Sequence, residues 1–157
     1  MTKIIHPIAG VIAFLTIATF WFSTALTELF GSPSAIVAVK SAIPWGFLLL
    51  VPALAAAGGT GFALSKGRGA GALLVAKKKR MPIIAANGLL VLIPAAFFLA
   101  GKAKADAFDG AFYAVQALEL VAGAVNLALL GLNMKDGLRM KGRLRSRSAS
   151  AKGALTQ

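Results

Sequence analysis

Four stretches of the chain run for about 20 residues or more with almost no charge, the length an α-helix needs to cross the hydrocarbon core of a bilayer. They extend from about residue 7 to 30, 43 to 64, 81 to 100 and 108 to 134. The pattern predicts an all-α, polytopic membrane protein with four transmembrane helices. The first stretch follows the basic Lys3, as a signal peptide would. It is too long for such a segment and ends in Thr27-Glu28 without a small-residue cleavage site, so it is read as a helix of the mature protein.

The connections read as connectors and not as domains. Gly31-Ser32-Pro33-Ser34 breaks the chain after the first stretch, and Gly58-Gly59-Thr60-Gly61 thins the end of the second before a glycine-rich loop at 67–71. Short connections imply antiparallel neighbours, hence an up-down-up-down bundle over residues 1–140. Residues 141–157, with Arg-Ser-Arg-Ser-Ala-Ser inside them, read by composition as a basic, disordered cytoplasmic tail.

Charge supplies the direction of the spans. Lys3 precedes the first span; Lys66, Arg68, Lys77, Lys78, Lys79 and Arg80 separate the second from the third; Lys135, Arg139, Lys141, Arg143, Arg145, Arg147 and Lys152 follow the fourth. The other cations, Lys40, Lys102 and Lys104, fall in the remaining connections beside Glu28, Asp106 and Asp109, which leaves those connections near neutral. An even number of spans places both termini on one side, and the excess of Lys and Arg makes that side cytoplasmic in a bacterial inner membrane. The basic run Lys77, Lys78, Lys79, Arg80, together with Arg139 and Arg143, is expected to attract anionic lipid at that face.

Composition narrows the function. Hydrophobic residues make up 58% of the 157 and charged residues 14%, against roughly a half and a quarter in globular domains. The net charge of +12 would suit nucleic acid, but the tail has no aromatic or shape-reading element, so no nucleic-acid role is expected. With no Cys, thiolate metal sites, dithiol redox chemistry and cysteine nucleophiles are excluded. Phosphate-binding loops, dinucleotide fingerprints, nucleophile elbows and metal-spaced clusters do not occur either.

What chemistry remains lies inside the membrane. The fourth span carries Gln116, Glu119, Gly123, Asn126 and Asn133, a spacing of three and four residues, or their sum, that keeps them on one helix face. At 1.5 Å per residue Glu119 lies roughly 16 Å into its span, where a carboxyl must face the bundle interior or water and is expected to be neutral or hydrogen-bonded. Thr16, Thr19, Ser23 and Thr27 share a face of the first span, with Thr19 and Ser23 level with Glu119, and Asn87 in the third is level with Asn126. These groups predict a polar seam between spans one, three and four, which serves either as helix glue or as a proton or ligand site. Pro44, Pro52 and Pro94 are placed to kink spans two and three and open a gap beside it.

His6, directly before Pro7, reads as a helix-boundary residue. The sharper alternative is a haem b ligand, with Met81 and Met134 at the same end of the bundle as candidate partners and nearby Arg and Lys for the propionates. Trp45 and Tyr113 are expected at the outer interface and Trp21 deeper. Gly10, Gly88 and Gly123 allow close helix contact, so a homo-oligomer or a larger membrane complex is expected.

Three functions follow. The leading one is a non-catalytic accessory or scaffold subunit whose seam around Glu119 packs helices or binds a small ligand or lipid. The alternatives are a redox protein holding haem b through His6, or a quinone, and a proton-coupled small-solute carrier using Glu119.

Overall fold

A computed structural model of the chain describes residues 1–65 and 72–154, without the side chains of residues 3, 72–74, 140, 141 and 143–154. Among the described residues all regular structure is helical: α1 (Thr2–Phe30), α2 (Pro33–Ser65), α3 (Ala72–Asn87), a π-helical turn (Gly88–Leu92), α4 (Ile93–Lys104) and α5 (Gly110–Ala154). Four helical segments are long and apolar enough to cross a membrane: Ile4–Phe30, Pro33–Ser65, Val75–Lys104 and Gly110–Arg139. Leu48, Leu90 and Val121 are among many large apolar side chains turned outward, a surface suited to hydrocarbon.

The helices begin earlier than hydropathy alone predicts. Pro33 opens α2 because its fixed φ and missing N–H suit a first turn, and the Ser32 hydroxyl accepts from the Ala35 N–H at 3.3 Å. Lys40, assigned above to a connection, is therefore inside a spanning helix. Likewise α3 starts at Ala72, which carries Lys77–Arg80 into the third span. The basic tail, expected to be disordered, continues α5 as helix to Ala154. Extending an existing helix needs no new nucleus, and Ala, Lys and Arg are good helix formers. The loop at 67–71, the side chains of Arg145–Ser150 and the last three residues lie outside the described structure.

Proline acts differently in the two middle spans. Pro44 and Pro52 are carried within the continuous α2. Pro94 has no N–H to give Leu90, and its ring crowds that carbonyl, so the ladder lengthens just before it: the Ile93 N–H reaches Gly88 O. The third span is thus α3, π turn and α4, stacked end to end.

His6, near the start of α1, touches Ala57 and Thr60 near the end of α2. The end of the bundle holding His6 is called the near end below, and the end holding the 31–32 and 105–109 connections the far end. α1 packs along α2 and against α5, while the third span packs along α5 and meets α2 through α4; α3 makes no comparable contact with α2. At the far end Asp106 takes a left-handed conformation (φ 51°) that an aspartate tolerates, and the Asp106 and Ala107 N–H groups close α4 on Ala103 and Lys102 carbonyls. Asp109 then caps α5 by accepting from Phe112 N–H at 3.0 Å. Lys102, donating to Asp109 at 2.5 Å, holds that carboxyl below its usual range.

Two apolar clusters hold the bundle. Ile36, Leu99, Ala103 and Phe112 pack at the far end; Ala13, Ile17, Leu50, Ala53, Ile84 and Leu130 pack further in. Phe112 is 0% exposed and edge-on to the Phe108 and Tyr113 rings, whereas Tyr113 is 54% exposed. Phe112→Ala is expected to lose about 2–3 kcal/mol, the cavity part of a buried large-to-small change. Tyr113→Ala should stay within about 0.5 kcal/mol of the parent. Reversible unfolding in mixed micelles measures both; equal losses would show that the far-end cluster is not packed as described.

Candidate functional site

The stripe on α5 is its buried face. Gln116, Gly123, Asn126 and Asn133 are buried, Glu119 is nearly so, and the stripe runs on to a buried Asp136 that the sequence reading missed. What Glu119 faces was also missed. The ammonium of Lys40, 1% exposed, donates to Glu119 Oε2 at 2.5 Å, and Gln116 Nε2 donates to the same oxygen at 3.4 Å. Glu119, expected to be neutral or hydrogen-bonded on a seam of spans one, three and four, is hydrogen-bonded, but its charged partner comes from span two. Lys40 and Glu119 join α2 to α5, helices with no extended packing between them, so the pair crosses the bundle. Ile36 and Phe112 of the far-end cluster lie one helical turn or two outward of it, and Ile43 and Gly123 one turn inward.

Below the pair is a cavity of about 360 Å³. One wall is α2 through Ile43, Phe47, Leu50 and Leu54; the opposite wall is the third span through Ile84, Gly88, Leu92 and Ala96. The π turn, with its wider coil, forms the middle of that wall. The remaining lining includes Trp21, Thr24, Glu119 and Asn126. Gly123 is required here: a Cβ on it would come within 2.8 Å of the Trp21 ring, which lies over it and donates Nε1–H to Leu120 O at 2.8 Å. Trp21 is thus bound into the interior, while Trp45 is exposed.

Of the expected seam, the structure brings together Asn87 and Asn126. Asn87 Nδ2 donates to Asn126 Oδ1 at 2.9 Å and to Ala122 O at 2.8 Å. The hydroxyls do not join them: Thr16, Ser23 and Thr27 donate to carbonyls of their own helix, and Thr19 is exposed. Thr24, not singled out from sequence, is the α1 hydroxyl residue at the cavity. Gly10 has nothing within 4 Å of an added Cβ, and Gly88 only the Asn126 amide at 3.8 Å.

The near end is a second polar layer. His6 Nδ1–H donates to Ala57 O at 3.0 Å with Thr60 Oγ1 at 3.2 Å, and Lys77 donates to Nε2 at 3.3 Å, so both ring nitrogens are engaged. Met81 Sδ accepts from Asn133 Nδ2 at 3.5 Å and Met134 is half-buried. Arg80 donates to Asp136 at 2.7 Å and to Asn133 at 3.4 Å. Lys77 and Arg80 are therefore turned into the protein, while Lys78, Lys79 and Arg139 remain exposed. The side chain of Arg143 lies outside the described residues.

Compared with known families, with characterised proteins and with solved structures, the chain matches none.

Removing one member of a buried ion pair leaves the other as an uncompensated charge. Lys40→Met is expected to destabilise the fold by about 3–5 kcal/mol, and Lys40→Met/Glu119→Gln to recover most of that loss. Unfolding of the single and double variants in micelles measures the coupling. A double variant no stabler than Lys40→Met would contradict the pairing.

Proposed function

We propose that this chain is a multi-pass protein of a bacterial plasma membrane that acts as a non-catalytic accessory or scaffold subunit, its interior lodging a small apolar ligand or a lipid chain. Its four spans run up-down-up-down, and both termini are cytoplasmic. The observation that carries the reading is the cavity of about 360 Å³ between α2 and the third span. That volume falls within the range of small-molecule pockets, and its walls have their character: apolar side chains with a few fixed polar groups, here Glu119, Asn126 and Thr24. A cavity of this size left empty weakens a bundle, so an occupant drawn from the bilayer would stabilise it. The route in is the gap between α2 and α3, which do not pack on each other as the other neighbours do.

The charge pattern supports the orientation. Lys78, Lys79 and Arg139 are exposed at the near end, and the basic tail continues from it, which fits a face that meets anionic headgroups at about 1 kcal/mol per cation. The lipid-facing role expected of Lys77 and Arg80 passes to these neighbours, because Lys77 and Arg80 have partners within the protein. Gly10 leaves a small-residue opening on α1 where a second copy or another subunit can approach closely.

Gly58 lines the cavity, and a Cβ there meets nothing within 4 Å. Gly58→Leu should therefore fill the cavity without disturbing the helix. Native mass spectrometry of the detergent-purified protein is expected to show one retained lipid or apolar molecule per chain, lost in Gly58→Leu. Identical adduct profiles for the two proteins would contradict the reading. Cysteines introduced singly at Ser34 and Lys79 should react with an impermeant maleimide from the outer face and the cytoplasmic face respectively; the reverse would overturn the orientation.

A further inference from the structure

Two polar side chains line the far end of the cavity, Glu119 and Thr24. They stand at one level. Trp21 of α1 lies over Gly123 of α5, and in these antiparallel helices Thr24 is one turn past Trp21 and Glu119 one turn before Gly123, both toward the far end. Glu119 receives Lys40 and Gln116 on Oε2, so among the described residues its Oε1 has no donor. Nor is that oxygen sealed: the buried oxygens without a partner belong to Glu28 and Gln116, and the Glu119 side chain keeps 12% exposure. The Thr24 hydroxyl also has no partner among the described residues, whereas Thr16, Ser23 and Thr27 give theirs to carbonyls of their own helix. The cavity therefore presents an open carboxylate oxygen and an open hydroxyl together. Glu119 is the ionisable residue of the lining, and Lys40 already matches its charge at 2.5 Å. The adjoining wall is aromatic, with Phe20, Trp21 and Phe47, and the Phe20 and Phe47 rings meet edge-on at 6.1 Å.

We propose that the cavity takes an uncharged amphiphile with a hydroxyl head, which donates to Glu119 Oε1 and accepts from the Thr24 hydroxyl while its apolar body lies along the walls toward the near end. The assignment rests on reading the cavity as a ligand site. A hydroxyl brings one donor and two acceptor lone pairs, the complement of an open carboxylate oxygen beside an open hydroxyl. An ammonium or carboxylate head would bring a charge that no lining side chain balances, in a space where an unpaired charge is costly. An ether or ester head accepts but cannot donate, and leaves Glu119 Oε1 without a donor. A lipid alcohol and a phenol with an alkyl tail share the required chemistry.

The test uses the Trp45→Phe protein, in which the cavity-lining Trp21 is the remaining tryptophan, in phosphatidylcholine nanodiscs. Trp21 fluorescence is titrated with dodecanol, dodecyl methyl ether and dodecylamine, and the response of the cavity-filled Gly58→Leu protein is subtracted as bilayer partitioning. Dodecanol is expected to bind about tenfold tighter than either of the others, since it alone makes a hydrogen bond to the carboxylate without adding a charge. Its preference over the ether should shrink in Thr24→Val, and vanish in Lys40→Met/Glu119→Leu, which removes the acceptor without stranding the Lys40 charge. Retained ether binding reports that these variants are folded with the cavity intact, and Thr24→Val carries the test by itself if the double variant does not fold. Dodecanol bound no tighter than the ether or the amine, or a preference that survives the substitutions, would overturn the hydroxyl assignment and leave the cavity reading standing. No saturable response to any probe would overturn the cavity reading itself. If the preference holds, para-hexylphenol, with Trp21 excited beyond the phenol band, separates the two sources: tighter binding than dodecanol assigns a phenol among the aromatic rings, and weaker binding a lipid alcohol.

Discussion

The ion pair between Lys40 and Glu119 is the constraint on which the interior depends. Either charge alone at this depth costs at least about 2.5 kcal/mol on insertion scales. Joined at 2.5 Å, they are neutral as a unit and fix the register of α2 against α5 across the bundle. A shift of one residue in either helix would turn one partner toward lipid. Glu119 of the pair also lines the cavity, so the spacing that the pair sets between α2 and α5 borders that space.

The other features follow from that spacing. α5 is the reference helix: Glu119 meets α2, Asp136 meets Arg80 of α3, and Asp109 at its cap meets Lys102 of α4. Trp21 of α1 closes on Gly123 of the same helix. With α5 tied to every other span, α2 and α3 can remain apart, and the π turn forced by Pro94 widens the wall opposite α2. Among the described residues, Glu28 Oε1 and Gln116 Oε1 are buried oxygens left without a hydrogen-bond partner by the arrangement.

Much of the fold could be read from sequence because its main signal is local. Uncharged length marks the spans, and the three-and-four spacing from Gln116 to Asn133 marks the buried face of α5. The level matching of Asn87 with Asn126 came from counting residues, which works wherever helices are regular. Long-range pairing was not legible. Lys40 sits near a Gly-Ser-Pro-Ser break and looks like a flank; its signal was the spacing of four from Ile36 and three to Ile43, which places it on an apolar face. Asp136 looked like part of the basic tail, although it extends the stripe three residues past Asn133. The hydroxyls of α1 misled in the opposite sense: their periodicity predicts a shared face, but a Ser or Thr in a helix can satisfy itself on the preceding turn, and these do. The gap expected from Pro44, Pro52 and Pro94 did not locate the cavity, since α2 carries its two prolines unbroken and a void belongs to no single residue.

The most direct measurement of the central claim is a nitrogen–carbon correlation by magic-angle-spinning NMR on protein in lipid bilayers, with ¹⁵N in lysine side chains and ¹³C in glutamate carboxyls. A cross-peak between Lys40 Nζ and Glu119 Cδ, absent in Glu119→Gln, is the result the account predicts. A Lys40 resonance that shows no carboxyl partner and exchanges freely with water would place the ammonium outside the bundle, and the register of α2 on α5 and the cavity beneath it would have to be abandoned.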